Sequence, residues 1–131
     1  MQVQPYVFFD GRCEEVLVFY REKLGAEILF QKRFSEAPPG PCHGPSDKIM
    51  HAAFRVGNSE IMASDGQCQT LTHTGFGLSI LVNDFSAGKK IFEALSEDGQ
   101  VKLAWQKTFW TEGFGMVTDK FGIPWMVNVG H

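Results

Sequence analysis

The sequence predicts an α+β fold built from two copies of a β-α-β-β-β module, and three observations carry that expectation. Apolar residues alternate or run in short strand-length blocks that are interrupted by helical spacing in only two places. The order strand, helix, strand, strand, strand occurs twice, over about 60 residues each time. Two tight turns, at Gly57-Asn58 and at Asp119-Lys120-Phe121-Gly122, close the last strand pair of each copy as an antiparallel hairpin.

Each element has its own local reason. Residues 4–9 read as a strand that ends at the Asp10-Gly11 turn. Val16, Phe19, Tyr20 and Leu24 then recur at helical spacing until Gly25 stops them. A strand over residues 27–34 leads into a Pro- and Gly-rich loop over 35–47, a cavity flap or a connector, and strands over 49–56 and 60–64 complete the first copy. The second copy opens with a strand over 76–82. Its helix has the face Gly88, Ile91, Phe92 and Leu95, is capped by Ser86 or Asp84, and has Gly99 at its end. Strands over 101–106, 115–118 and 124–129 follow. The expected organisation is one domain over 1–131, with module 1–66 and module 75–131 joined by the polar segment 67–74. An isolated module would expose the apolar face of its sheet, so two modules, of one chain or of two, are expected to close around a cavity.

Composition narrows the function. A chain of 131 residues is long enough to bury about two-thirds of its unfolded surface without a disulfide or metal. The formal net charge of −3 argues against a grip on phosphate backbones, so nucleic acid is not an expected partner. No apolar run approaches the roughly 20 residues that span a bilayer, and the N-terminus lacks a secretory pattern; the expected location is cytoplasmic, with no membrane partner. Cys13, Cys42 and Cys68 are unpatterned and read as reduced thiols. Cys13, at the start of the first helix, is the one that a helix dipole could activate, although a small packed side chain is the favoured reading.

All three tryptophans fall within residues 105–125, among turns and short strands, an arrangement that points to a pocket for something flat or apolar. The expected ligand pocket is His51, Met62, Ser64, Leu78, Trp105, Gln106, Phe109, Trp110, Phe114, Met126 and Asn128, with His51, Ser64, Gln106 and Asn128 as its polar contacts. Alternation along the last strand sends Met126 and Asn128 one way and Trp125 under a helix. Ser86-Ala87-Gly88-Lys89 matches the S-x-x-K of penicillin-recognising enzymes without its companion motifs, and Glu14-Glu15 and Glu97-Asp98 read as solvated charge pairs.

Several motifs carry a resemblance: Pro5-Tyr6-Val7-Phe8-Phe9-Asp10-Gly11, Phe19-Tyr20, Leu24-Gly25-Ala26-Glu27, Met50-His51-Ala52, Ile61-Met62-Ala63-Ser64-Asp65, and the stretch from Trp105 through Gly113-Phe114-Gly115 to Met126. On these the chain resembles the PhnB-like branch of the vicinal-oxygen-chelate superfamily, which includes glyoxalase I, bleomycin-resistance proteins and extradiol dioxygenases. The resemblance implies paired β-α-β-β-β modules forming a cup, and with the double module the expected protein is a homodimer that binds a small organic molecule. Members of the branch are often labelled 3-demethylubiquinone-9 3-methyltransferases. That activity is not expected here, because S-adenosylmethionine chemistry usually uses a doubly wound sheet with a Gly-rich first turn. Metal-dependent relatives hold a divalent ion at four inward positions. Alignment on Phe19-Tyr20 and Phe121-Gly122 places them at Pro5, Met62, Leu78 and Met126, none of which suits such an ion. The expected cofactor set is therefore none and the expected metal none. An enzyme with His51 as catalytic residue, and Asp65 reaching the same region, is the alternative. His43, His73 and His131 are expected in loops or at the terminus.

Overall fold

Strand β1 (Tyr6–Phe8) runs into helix α1 (Cys13–Leu24), and β2 (Glu27–Arg33), β3 (Ile49–Val56) and β4 (Ser59–Ser64) follow. In this computed structural model, which describes residues 1–38, 40, 44–66 and 71–130, they form a sheet of order β1-β4-β3-β2. Pairs β2–β3 and β3–β4 are antiparallel and β1–β4 is parallel. Three residues of β1 meet three of β4, as Tyr6↔Met62, Val7↔Ala63 and Phe8↔Ser64. Backbone bonds from Met62 N–H to the Pro5 carbonyl (3.0 Å) and from Phe9 N–H to the Ser64 carbonyl (2.7 Å) extend that pairing, so the expected strand over 4–9 contracts only slightly.

Helix α1 buries Cys13, Val16, Leu17, Phe19 and Tyr20, while Leu24 is only half-buried. Gly25 ends it in the left-handed region at φ 67°, a conformation that costs glycine nothing, and its N–H reaches the Tyr20 carbonyl. No side chain at Arg12 caps the other end. Asp65, just past β4, does so instead: Oδ1 accepts from Cys13 N–H at 2.9 Å and Oδ2 from Ile49 N–H at 3.0 Å. One buried carboxylate thus ties the start of the helix to the start of β3.

The chain divides into two compact units, Met1–Leu71 and Thr72–His131. The second holds β5 (Leu78–Val82), α2 (Phe85–Leu95), β6 (Gln100–Gln106), β7 (Phe114–Thr118) and β8 (Pro124–Val129), in the sheet order β5-β8-β7-β6. Again the first and last strands are parallel. Asp84 is the cap of α2, accepting from Ala87 N–H at 2.8 Å. The helix stops at Leu95 rather than at Gly99, because the chain turns through Asp98 at φ 56°. Gly99 is required for another reason: a Cβ there would lie 2.5 Å from the Thr118 carbonyl. Asp119 repeats the buried-carboxylate device, accepting from Phe121 N–H (2.9 Å), Ile123 N–H (3.0 Å) and Trp125 Nε1–H (2.8 Å). Together these elements make an α+β fold of two βαβββ modules, as the sequence predicts. Cys42, Cys68, His43, His131 and residues 67–70 of the join lie outside the described residues.

Replacing Asp65 by alanine leaves two buried backbone donors without an acceptor, so Asp65→Ala is expected to cost about 2–4 kcal/mol in urea unfolding. A loss within 0.5 kcal/mol would show that the carboxylate does not hold these elements together.

Candidate functional site

Strand alternation divides each sheet into a helix-covered face and an open face, and the pairing register says which residues share each. In the first unit Val7, Ala52, Phe54, Ile61 and Ala63 are buried, with the Phe54 ring 5.6 Å from that of Tyr20 on α1. The open face therefore carries Tyr6, Phe8, Phe30, His51, Ala53, Met62 and Ser64. His51, Met62 and Ser64 come together there. Pro5 does not: its carbonyl pairs with Met62 N–H, and the side chain opposite Met62 is that of Tyr6. The alignment was one residue out of phase with the ladder, and one residue exchanges faces.

Tyr6 is what the sequence reading missed. Its Oη lies 3.0 Å from His51 Nδ1, and it shares a hydrogen bond with the Ser64 side chain. Its ring sits 4.7 Å from Phe8 and 5.6 Å from His51, and the Phe30 ring is 5.9 Å from His51 on the other side. Burial pushes the Tyr6 phenol up, more than the Ser64 hydrogen bond lowers it, so the phenol keeps its proton at neutral pH. The alternation Tyr6, Phe8 around a buried Val7 was the available signal.

In the second unit Val82 and Trp105 lie against Gly88 of α2, and Val117, Trp125 and Val127 are buried on the same side. Leu78 pairs with Trp125 and Ser79 with Met126. Leu78 is thus on the helix-covered side and Ser79 on the open one, which corrects the expected placement of Leu78 in the pocket. Trp105 is corrected likewise: its ring packs 5.6 Å from Phe92 and 5.8 Å from Phe85 under the helix. Trp125 is buried as the alternation argued.

Met126, Asn128, Phe114 and Trp110 do gather on the open side. Met116 pairs with Met126 and Phe114 with Asn128. Trp110 Nε1–H donates to Asn128 Oδ1 at 3.1 Å, and the Trp110 ring meets Phe114 edge-on at 5.3 Å and Phe109 at 4.8 Å. Thr111 anchors this loop, donating to the Val129 carbonyl and accepting from Gly113 N–H at 3.2 Å. Phe109 is 96% exposed, so it adds little enclosure. Gln106, the register partner of Phe114, belongs to the same side; it is exposed, and its amide donates to the Ala104 carbonyl of its own strand at 3.0 Å.

One further expectation fails and one holds. Asp65 does not reach His51, since both its oxygens are engaged at the base of α1. Cys13 is the packed side chain that the sequence favours: it is fully buried, and burial followed by the neighbouring Asp65 and Glu14 charges pushes its thiol up, overriding the helix dipole. A cleft of about 380 Å³ opens beside that helix end, lined by Gly11, Glu14, Glu15, Arg33, Asp47, Lys48, Ile49 and Asp65. Its cations are engaged internally, Arg33 with Glu14 and the Asp47 carbonyl, Lys48 with the Gly11 carbonyl.

The residues do not fit the divalent ion of the metal-dependent relatives. By register the open-face residues at these places are Tyr6 and Met62 in one sheet and Ser79 and Met126 in the other, two of them soft thioethers. Among the described residues no three His, Cys, Asp or Glu side chains are grouped to hold a metal ion. Nor is any described helix long and apolar enough to cross a membrane.

Residues 1–128 match the family model described as 3-demethylubiquinone-9 3-methyltransferase. Protein YjdN of Escherichia coli K12 is 39% identical over 140 aligned residues, covering 98% of this chain and 95% of that one. The crystal structure of protein PA1353 from Pseudomonas aeruginosa superposes with a TM-score of 0.89 at 36% identity, covering 99% and 98% of the two chains. The PhnB protein of Bacillus cereus gives 0.84 at 22% identity, covering 99% and 100%. A glyoxylase/bleomycin resistance protein/dioxygenase domain from Frankia sp. EAN1pec gives 0.67 at 17% identity, covering 99% and 95%. At such identities the last two show the fold alone.

Iodoacetamide at pH 8 is expected to leave Cys13 unmodified in the native protein and to label it in urea, as read by peptide mass spectrometry. Because the folded thiol titrates above its unfolded value, its contribution to stability is full below about pH 8.5 and declines at higher pH. Rapid native labelling of Cys13 would contradict its burial.

Proposed function

Because the chain belongs to the 3-demethylubiquinone-9 3-methyltransferase-like (PhnB) family and has the glyoxalase/bleomycin-resistance fold, we propose that it is a metal-free protein that binds a small organic molecule. The observation that carries this reading is the Tyr6–His51 hydrogen bond, set among Phe8, Phe30, Ala53 and Met62 on a sheet face that no helix of its own unit covers. Ligand sites are mostly apolar walls with a few placed polar groups, and this face has that composition. The Met126, Phe114, Trp110 and Asn128 group of the second unit is of the same kind. The proposal takes 1–131 as one domain, acting in the cytoplasm as a homodimer without nucleic acid or membrane.

Methyl transfer is no part of the proposal. Two four-stranded mixed sheets offer no strand-to-helix turn of the Gly-rich kind, and Gly75-Phe76-Gly77 and Gly113-Phe114-Gly115 lead into strands. A second reading, acid-base catalysis by His51, is favoured by one feature, the proton-bearing phenol against its ring. Turnover of a candidate substrate by His51→Ala separates the two: an unchanged rate retires the catalyst.

A thermal-shift screen of small organic molecules is the test of binding. A ligand at 100 times its Kd adds about 2.7 kcal/mol of stability, a shift of several degrees in Tm. Elemental analysis of the purified protein is expected to find no stoichiometric divalent metal; one zinc, nickel, iron or manganese per chain, held by protein nitrogen or oxygen, would overturn the metal-free reading.

A further inference from the structure

One direction of the hydrogen bonds around Tyr6 gives each hydroxyl proton a side-chain acceptor. Ser64 is 1% exposed, and its Oγ accepts from Gly66 N–H at 3.1 Å, so its single proton needs an acceptor elsewhere. The side-chain partner that can take it is the Tyr6 oxygen. Tyr6 then gives its own proton to the group 3.0 Å away, His51 Nδ1. With Nδ1 accepting, the neutral imidazole carries its proton on Nε2, which has no partner among the described residues.

One cation shares this face. Lys32 is the register partner of His51 across the β2–β3 pair, and directly opposed residues leave the sheet on the same side with Cβ atoms about 5 Å apart. Its ammonium has no ion-pair partner among the described residues. Further along the face, Arg55 and Glu27 neutralise each other at 2.6 Å. An N–H donor and an unneutralised ammonium beside Phe30, Tyr6 and Phe8 recognise an anionic oxygen attached to an apolar body.

We propose that the open face of the first sheet receives a flat apolar molecule bearing a carboxylate, whose oxygens take the His51 Nε2–H bond and the Lys32 charge while its body lies against Phe30 and Phe8. Tyr6 and Ser64 are positioning residues, fixing the tautomer from behind. This rests on the small-molecule reading above and narrows its ligand class.

The test uses the full chain with 2-naphthoate and its neutral isostere 2-naphthamide, followed by calorimetry and by NMR of ¹⁵N-histidine-labelled protein at pH 8. His51 Nε2 is expected to be protonated and Nδ1 not, and 2-naphthoate is expected to bind at least about tenfold tighter than the amide. Lys32→Met and His51→Phe should each reduce that preference, with amide binding held within about threefold. Lys32 is at the surface edge, so its variant keeps the test valid should His51→Phe misfold. Equal binding of acid and amide, or an Nδ1–H tautomer, overturns this proposal and leaves small-molecule binding standing. Binding of neither compound at this face overturns it together with the reading on which it rests.

Discussion

The one-residue register of the parallel strand pairs, β1 on β4 and β5 on β8, is the constraint from which the chemistry of both sheets follows. A sheet with a helix on one side has two unlike faces, and a strand shifted by one position trades its inward and outward side chains. Tyr6 opposite Met62 puts phenol, thioether, imidazole and the Ser64 hydroxyl on the open face. The same ladder slipped by one would offer Pro5 and Val7 instead. Ser79 opposite Met126 does the equivalent in the second unit and sends Leu78 under α2.

Buried carboxylates hold these registers. Asp65 follows β4 directly, takes the N–H of Cys13 and of Ile49, and gives its own N–H to the Ile49 carbonyl at 2.8 Å. Any slip of β4 would move that carboxylate off both donors and leave three buried polar groups unmatched, a cost of several kcal/mol at about 1–3 kcal/mol each. Asp119 plays a related part for the β7–β8 turn and fixes the Trp125 indole by its Nε1–H. Both residues are therefore structural, and the polar groups left for a ligand include the Tyr6–His51–Ser64 chain with Lys32 in one unit and the Trp110–Asn128 pair in the other.

The module order, Gly25 as a helix stop, Asp84 as a cap and Trp125 as a buried residue were legible because each depends on local chemistry or on alternation within one strand. Placements that depend on how two strands pair were not. Leu78 and Pro5 rest on alignment with distant relatives, which does not resolve a one-residue phase. Trp105 is misplaced by the sequence because an aromatic cluster does not say which face each ring occupies. Asp65 near His51 is a reading that partners far away in sequence overturn, the N–H of Ile49 and of Cys13, whereas the packed Cys13 favoured by the sequence is the one that the structure has. Tyr6 is not legible as a site residue in the sequence, since only the folded ladder brings residue 6 to residue 51.

The central claim is that Tyr6, His51 and Met62 share the face of the first sheet opposite α1. Proton–proton Overhauser contacts measure it directly in the free protein. The account predicts cross-peaks from the Tyr6 ring to the His51 ring and to the Met62 methyl. Cross-peaks from the Tyr6 ring to Val16 or Leu17 of α1, with none to His51, would place it on the covered face and contradict the account.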